Sequence, residues 1–228
     1  MLSAIIVAAG QGLRLKAALP KPLVKIGKLP LIIYSLNTLD NHPDIDEIIM
    51  VLNAKNQRAI TRLIKNYSFK KIKSLVLGGK RRQDSVSNGL KMVSGNSDWV
   101  LIHDSARPFI DCQTIAKVIL AAKKTGSAIV AVKSKSTIKF SQKNNIVKKT
   151  LNRDDLWEAQ TPQVFRKELI LKAYKKYCKE KVTDDASLIE KLGKQVLIVQ
   201  GSYQNIKITT GEDLLFAGLI AKRRTHAI

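Results

Sequence analysis

Short runs of Val, Ile and Leu recur along the chain, separated by segments long enough for helices. The runs lack the polar alternation of a sheet with one face in water, so they predict strands covered on both faces, as in a parallel sheet. Apolar residues between them recur with helical spacing. Strands are predicted at 4–9, 47–52, 74–77, 99–103, 128–132 and 195–199, and helices near 31–40, 54–66, 84–94, 113–125, 166–180, 185–192 and 212–223.

This alternation of strands and helices predicts an α/β layered sheet with right-handed crossover connections. In such sheets ligands bind beyond the carboxyl ends of the strands. The residues that directly follow each strand are therefore the first candidates for function.

The segment 133–153 departs from this pattern. Two short β-type stretches flank a turn at 141–145 that is rich in Ser and Asn, which predicts a hairpin. The segment is too polar for a core, so we expect a projecting arm. Because no repeat or linker divides the rest, and 228 residues suit one large domain, we expect a single domain over 1–228.

Composition adds a strong positive charge to this picture. Forty Lys and Arg face 18 Asp and Glu, a net charge of +22, which favours nucleic acid, acidic lipid or phosphorylated small molecules, or is only a solvated lysine-rich surface. No apolar run reaches the roughly 20 residues that span a bilayer. No basic region precedes the first apolar stretch, and Cys112 and Cys178 have no CxxC spacing, so we expect a reduced, cytoplasmic protein.

A glycine loop follows the first predicted strand. Gly10 and Gly12 allow a sharp turn whose backbone N–H groups approach a phosphate, and Arg14 and Lys21 follow. Leu15 occupies the sixth position of a dinucleotide GxGxxG motif, and the chain has no Walker sequence, so neither of these phosphate loops is predicted. A tight turn with solvated Arg14 and Lys21 is the alternative.

A second loop, 78–86, follows the strand at 74–77 and opens a helix. Gly79, Arg82 and the backbone N–H groups at a helix start suit an anion. The alternative is a flexible loop in which Asp84 or Ser85 caps the helix.

A third motif, 103–108, ends the strand at 99–103. Asp104 suits a metal ion or a ligand hydroxyl, and Arg107 suits a phosphate. Alternatively, Asp104 and Arg107 pair with each other and fix a turn. His42, His103 and His226 have no metal-ligand spacing.

Three later features remain open between function and structure. Thr183, followed by acidic residues, equally suits a helix N-cap. Thr210 and Asp213 fit a capping box, so we interpret Asp213 as structural. Lys207 lies in an alternating segment and equally suits a position facing water.

Taken together and in order, these motifs resemble the 2-C-methyl-D-erythritol 4-phosphate cytidylyltransferase family, over about residues 3–221. No single motif is specific, but an ordered set of loops at matching separations is. The matching residues are Ala8–Gly10 with Gly12 and Arg14; Pro20–Lys21; Gly78–Gly79 with Arg82–Val86; His103–Asp104 with Ala106–Pro108; Leu156–Trp157 with Gln160–Gln163; Thr183–Ala186; and Asn205–Thr209.

The resemblance implies transfer of CMP from CTP to methylerythritol phosphate, with release of pyrophosphate, in isoprenoid precursor synthesis. It implies a Rossmann-like three-layer sandwich with a mostly parallel twisted sheet and a projecting β-arm. It also implies Mg²⁺ as cofactor, and a homodimer in which the 133–153 arm reaches the partner. Neither nucleic acid nor membrane is an expected partner.

The resemblance further implies roles for individual residues. It assigns Arg14 and Lys21 to charge neutralisation in the transition state, Arg153 and Lys207 to the grip on the incoming phosphate, and Asp104 to the metal. It assigns CTP binding to Ala8, Ala9, Gly10, Gly12, Gly79, Arg82 and Ser85, and the alcohol phosphate to Asp104, Ser105, Arg107, Thr137, Thr161 and Thr183.

Three positions depart from the family's usual pattern. Pro22 stands where Gln is usual, Ser105 where Ala is usual, and Lys80 where Asp or Glu is frequent. They bear on base or alcohol specificity rather than on the type of reaction.

Other functions compete with this one. The nearest is a cytidylyltransferase of the same fold that uses ribitol 5-phosphate or another sugar phosphate. A nucleic-acid-binding module would exploit the +22 charge, but aromatics are only 5% and no zinc or RNA-recognition signature is present. A catalytically silent nucleotide sensor is disfavoured because Arg14, Lys21, Asp104 and Lys207 are all retained.

Overall fold

The computed structural model describes residues 1–10, 12–15, 19–142 and 144–225. Its strands are β1 (Leu2–Ala8), β2 (Lys25–Ile26), β3 (Leu29–Pro30), β4 (Glu47–Leu52), β5 (Ile72–Leu77), β6 (Trp99–Asp104), β7 (Ser127–Lys133), β8 (Lys139–Ser141), β9 (Val147–Thr150), β10 (Trp157–Arg166) and β11 (Leu197–Gln200). Its α-helices are α1 (Leu31–Asp40), α2 (Gln57–Lys65), α3 (Arg82–Leu90), α4 (Cys112–Thr125), α5 (Lys167–Lys176), α6 (Ala186–Lys191) and α7 (Gly211–Thr225).

Within the described residues, the central sheet has seven strands in the order β11-β7-β10-β6-β1-β4-β5. Neighbouring strands are parallel except around β10, which is antiparallel to both β6 and β7. The chain moves from β1 to β4 and β5 on one side and then returns to β6 on the other. The sheet therefore has a topological switch point between β1 and β6, where ligands bind in folds of this type.

Helices cover both faces of this sheet, which confirms the three-layer sandwich. Ala4 and Ile6 of β1 point into a cluster with α1, α2 and α4, whereas Ile5 points into a cluster with α3, α5 and α6. A third cluster lies under α7 and contains Leu15 and Phe109. Because successive strand residues face opposite sides, strands buried on both faces read as continuous apolar runs.

The predicted strands and helices are found, with ends shifted by a few residues, but β10 was not predicted. Its first half contains Gln160, Thr161 and Pro162, which are typical of a loop. In the folded chain these polar groups bond to other residues rather than to water. Gln160 Nε2 donates to the Ser202 carbonyl at 3.0 Å, and the Thr161 hydroxyl contacts His103. The small β2–β3 hairpin was also missed.

Helix ends show which capping predictions hold. The Thr210–Asp213 box is confirmed, because Asp213 Oδ2 accepts from the backbone N–H of Thr210 at 2.9 Å. The Thr183 cap is wrong, because α6 begins at Ala186 and Asp184 Oδ1 accepts from the Ser187 N–H. α3 begins at Arg82, and Asp84 accepts from the Arg81 N–H inside its first turn.

The hairpin predicted in 133–153 is present. β8 and β9 pair antiparallel, and their residues are exposed. Asn144 and Asn145, in the turn, have φ of 66° and 54°, a conformation that Asn tolerates better than most residues. Among the described residues, no helix is long and apolar enough to cross a membrane.

Candidate active site

A cavity of about 520 Å³ opens at the switch point of the sheet. Its walls come from the loop after β1, the loop between β5 and α3, the end of β6 and the segment before α7. The lining residues are Val7, Ala8, Ala9, Gly10, Gly12, Arg14, Lys21, Pro22, Asn53, Gly79, Lys80, Arg81, Arg82, Ser85, Asp104, Ser105, Ala106, Lys207 and Thr209.

Twelve of the residues assigned by resemblance therefore share one cavity, namely Ala8, Ala9, Gly10, Gly12, Arg14, Lys21, Gly79, Arg82, Ser85, Asp104, Ser105 and Lys207. The three departures from the family pattern, Pro22, Lys80 and Ser105, also lie on its wall. Sequence reasoning missed Asn53, whose Nδ2 donates to the Ala9 carbonyl at 3.2 Å and so braces the glycine loop. A single Asn after a buried strand gave no signal for this contact.

The glycine loop brings its backbone close to Lys21. Gly12 has a φ of 68°, which favours glycine, and a Cβ there would lie 2.9 Å from the Lys21 Cβ. The Leu15 N–H donates to the Gly12 carbonyl at 3.0 Å, and the buried Leu15 side chain joins the cluster under α7. Packing of Leu15 thus anchors the turn from which the exposed Arg14 enters the cavity wall.

Lys21 begins a short 3₁₀ turn and lies in a strongly cationic environment. Partial burial and the nearby Lys207 ammonium lower its pKa to about 8, although Asp104 opposes this shift. Loss of solvation and like charge both disfavour the ammonium form. An anion placed in the cavity would relieve both costs.

The loop between β5 and α3 has no room for side chains on Gly78 and Gly79. A Cβ on Gly78 would lie 2.3 Å from the Ala9 Cβ, and one on Gly79 would lie 2.4 Å from the Asp84 Cβ. The Ser85 Oγ accepts from the Gly79 N–H and donates to the Arg81 carbonyl, both at 3.1 Å. Gly78 therefore lets the loop pack directly against the β1 loop, and Gly79 lets the loop pack closely on the first turn of α3, with backbone forming the wall.

A chain of charges crosses the end of β6. Asp104 accepts from Arg82 Nε at 2.9 Å and from Lys207 Nζ at 2.5 Å. Burial alone would raise the pKa of Asp104, but these two cations hold it well below its usual range. Arg82 also reaches Asp185, at 2.8 Å from Nη2 to Oδ2. The carboxylates on either side raise the pKa of Arg82 despite its burial.

Thr161 lies behind Asp104 rather than in the cavity lining. Its Oγ1 accepts from the Asp104 N–H at 3.0 Å and lies 3.1 Å from His103 Nδ1. His103 is fully buried, and its Nε2 lies 3.0 Å from the Arg107 carbonyl, so it donates there while Nδ1 accepts from Thr161. Burial lowers the pKa of His103 to about 4, which keeps the ring neutral.

Arg107 is not among the lining residues, and its side chain does not pair with the Asp104 carboxylate. Its Nη1 donates to the Asn205 carbonyl at 2.8 Å and its Nη2 to the Ala159 carbonyl at 3.1 Å. The two residues close a turn through their backbones, where the Arg107 N–H donates to the Asp104 carbonyl at 2.9 Å, but the alternative of a side-chain pair is wrong. Arg107 instead ties β10 to the segment that carries Lys207.

Thr137, Arg153 and Thr183 are exposed and lie outside this cavity. Arg153, in a 3₁₀ turn at the base of the arm, donates from Nη1 to the Lys135 carbonyl at 3.3 Å. Predictions that fall on His226 lie outside the described residues.

Comparison with known proteins now decides the family. The model of the family described as IspD: 2-C-methyl-D-erythritol 4-phosphate cytidylyltransferase matches residues 2–223. The chain belongs to this family. Relatives of that name from Clostridium tetani and Shouchella clausii are 45% and 43% identical, over 96% and 99% of this chain and 90% and 99% of their own.

Solved structures of the cytidylyltransferase family share the fold. A 4-diphosphocytidyl-2C-methyl-D-erythritol synthase from Anaerococcus prevotii superposes with a TM-score of 0.87 at 38% identity, covering 97% of this chain and 96% of that one. The 2-C-methyl-D-erythritol 4-phosphate cytidylyltransferase from Thermus thermophilus gives 0.79 at 26% identity, covering 97% and 100%. The Rossmann-like α/β fold expected of the family is thus confirmed.

Proposed function

We propose that this chain transfers CMP from CTP to 2-C-methyl-D-erythritol 4-phosphate, which yields 4-diphosphocytidyl-2-C-methyl-D-erythritol and pyrophosphate. Family membership supports the reaction. The observation that carries its chemistry is the convergence of Arg14, Lys21 and Lys207, from three separate segments, on one cavity beside Asp104.

The reaction joins two anions that repel each other. An oxygen of the alcohol phosphate attacks the α-phosphorus of CTP, and the bond from that phosphorus to the oxygen bridging to the β-phosphorus breaks. The electron pair leaves with pyrophosphate, and no proton transfer is needed because the attacking oxygen is already anionic. Catalysis of such a step is mainly positioning and charge stabilisation.

The lining residues suit this task. We assign the triphosphate to Arg14 and Lys21, because both lie beside the backbone of the glycine loop. Lys207 then grips the incoming phosphate. The backbone wall of Ala8, Ala9, Gly10, Gly12 and Gly79, with Ser85 and Arg82, holds CTP, whereas Ser105 and Asp104 face the alcohol phosphate.

We propose Mg²⁺ as the cofactor, held by Asp104. Mg²⁺ prefers oxygen ligands and takes one or two carboxylates together with substrate phosphates and waters. Asp104 is the carboxylate in the cavity lining, and each of its oxygens accepts from one cation, Arg82 or Lys207, which leaves a second lone pair on each oxygen for a metal ion. Bound there, the ion would neutralise negative charge on the phosphates.

We also propose a homodimer, located in the cytoplasm, in which the 133–153 arm contacts the partner. Phe140, Ile146 and Val147 are exposed apolar residues of the arm. Thr137 and Arg153 lie outside the cavity of their own subunit, so their assigned roles require the cavity of the partner. Thr161, Thr183 and Arg107 are not in the lining, and their assignment to the alcohol phosphate stays a prediction.

The test is pyrophosphate release from CTP, Mg²⁺ and methylerythritol phosphate, with UTP and ATP as alternative nucleotides and ribitol 5-phosphate as alternative acceptor. We expect release with CTP and methylerythritol phosphate together, and little with the alternatives. Comparable turnover of ribitol 5-phosphate would reassign the acceptor. No release with any pair would refute the proposed activity.

A further inference from the structure

The Arg82 side chain lies between two buried carboxylates. Its Nε donates to Asp104 Oδ1 at 2.9 Å, and its Nη2 lies 2.8 Å from Asp185 Oδ2. Asp104 lines the cavity, whereas Asp185 is 1% exposed and is not among the lining residues. The guanidinium therefore connects the acid of the cavity with an acid behind it.

Asp185 is held in place by its own partners. The Tyr174 hydroxyl, from α5, donates to Asp185 Oδ1 at 2.5 Å. The backbone N–H groups of Asp185 and Ala186 both donate to Gln163 Oε1, at 3.1 and 3.2 Å. Burial and the Asp185 charge raise the pKa of Tyr174, so its hydroxyl remains a donor. Strand β10 and helices α5 and α6 thus fix this carboxylate.

The Arg82 guanidinium uses a single edge for two different carboxylates. One edge of a guanidinium, Nε with Nη2, pairs readily with both oxygens of a single carboxylate. Here that edge is divided, because Nε hydrogen-bonds to Asp104 whereas Nη2 forms an ion pair with Asp185. The division leaves Asp104 Oδ2 to Lys207, whose Nζ lies 2.5 Å away. Without Asp185, the Arg82 edge would be free to take both oxygens of Asp104 and displace Lys207.

We propose that Asp185, supported by Tyr174, is a positioning residue that divides the Arg82 guanidinium and so keeps Asp104 and Lys207 in their working arrangement. This inference rests on the proposed function, since it assigns Lys207 and Asp104 to the phosphates. Neither Asp185 nor Tyr174 touches the reacting groups in this account. Their loss acts through Arg82.

The first experiment compares Asp185→Asn with Glu190→Gln. Both variants remove one negative charge from the same part of the chain, but Glu190 is exposed on α6, whereas Asp185 is buried at the start of that helix. We expect Asp185→Asn to lower kcat at least about tenfold while the KM for CTP changes less than about threefold, because misplaced groups cost turnover more than binding. Glu190→Gln should stay within about twofold of wild type. All assays are run well below the unfolding midpoint of each variant.

A second experiment separates positioning from a general loss of packing. Arg82→Lys keeps the positive charge but replaces the two-nitrogen edge of the guanidinium with a single ammonium group. In a background that already carries Arg82→Lys, Asp185→Asn should therefore lower kcat little further. If Asp185→Asn fails to fold, Tyr174→Phe carries the test, because it keeps the charges and removes only the hydroxyl. Tyr174→Phe should lower kcat by about three- to tenfold with an unchanged KM for CTP.

Three results would overturn the inference. They are wild-type kcat in Asp185→Asn or Tyr174→Phe, an equal loss in Glu190→Gln, and losses that multiply fully in the Arg82→Lys background. These results are distinct from failure of the proposed function, in which the wild-type protein itself releases no pyrophosphate.

Discussion

Lys21 combines burial with the repulsion of like charges. Its ammonium group is partly buried near Lys207 and Arg14, with Asp104 as the opposing charge. Because burial and like charge destabilise the ammonium form of Lys21, the site is already arranged to bind an anion before the substrate arrives. Preorganised charges of this kind stabilise charge that develops in the transition state without a cost of reorganisation.

We expect Lys21→Ala and Arg14→Ala to lower kcat about 10²–10³-fold, or about 3–4 kcal/mol, with a much smaller rise in the KM for CTP. Steady-state kinetics at saturating methylerythritol phosphate measures both constants. Lys117→Ala, which removes a charge from the exposed surface of α4, is the matched control and should resemble wild type. Near-native kcat with only weaker CTP affinity would show that the two cations do not stabilise the transition state.

The pKa of about 8 for Lys21 predicts an alkaline limit on activity. As the pH rises through about 8, the free enzyme loses this charge, so kcat/KM for CTP should fall, and Lys21→Arg should shift the limit to higher pH. Since the pKa is lower in the folded than in the unfolded chain, the charged lysine destabilises the fold below about pH 8. That cost should disappear between about pH 8 and 10.5, as denaturant unfolding at several pH values will measure. A flat kcat/KM profile up to pH 10 in the wild-type protein would contradict the lowered pKa of Lys21.

At the scale of elements, the cavity depends on how closely two loops approach each other. Gly78→Ala would place a Cβ 2.3 Å from the Ala9 Cβ. One of the two loops, and with it the cavity wall, would therefore have to move. We expect Gly78→Ala to raise the KM for CTP about tenfold and to lower the free energy of unfolding by about 1–3 kcal/mol. Kinetics and urea unfolding check both values.

Gly95→Ala is the control for this substitution, because a Cβ at Gly95 meets nothing within 4 Å and its φ is not positive. It should leave both measurements near wild type. If Gly78→Ala behaves like Gly95→Ala, the contact between the loops does not shape the nucleotide site.

The sequence predicts the parallel strands because burial on both faces makes them continuous apolar runs. It does not predict β10, since Gln160, Thr161 and Gln163 hydrogen-bond to residues far along the chain rather than to water. Thr183 fails as a cap for a similar reason. Several polar residues precede α6, and only the folded chain shows that Asp184 is the one that reaches the Ser187 N–H.

The candidate site, like the fold, can be predicted from the sequence only in part. Residues after β1, β5 and β6 are predictable, because carboxyl ends of parallel strands meet at one edge. The Asp104–Arg82–Asp185–Tyr174 contacts are not, since they join elements from separate parts of the chain. Arg107 matches the motif, yet its side chain donates to two backbone carbonyls, which no local pattern reveals.

At the scale of the whole molecule, the exposed arm predicts a shared active site. Lys21 and Lys207 line the cavity of their own subunit, whereas Arg153 and Thr137 lie outside it. If the arm serves the partner, mixing Lys21→Ala with Arg153→Ala subunits creates one intact site in each mixed dimer. We expect about a quarter of wild-type activity to return after subunit exchange, because half of the dimers are mixed and each has one intact site.

Two further observations complete this test. Each variant alone should be nearly inactive, and sedimentation should give a dimer at micromolar protein. A fully active monomer, or no recovery on mixing, would show that the arm does not complete a neighbouring site.

The position of β10 in the sheet also bears on how the chain assembles during synthesis. Among the strands of the central sheet, β1, β4, β5 and β6 are neighbours and emerge first from the ribosome. Within the part of the chain that the structure describes, however, β7 pairs only with β10 and β11, both of which are made after it. Its buried apolar residues must wait with unpaired edges until β10, which begins at Trp157, has emerged, an interval in which a nascent chain is open to chaperones and to aggregation.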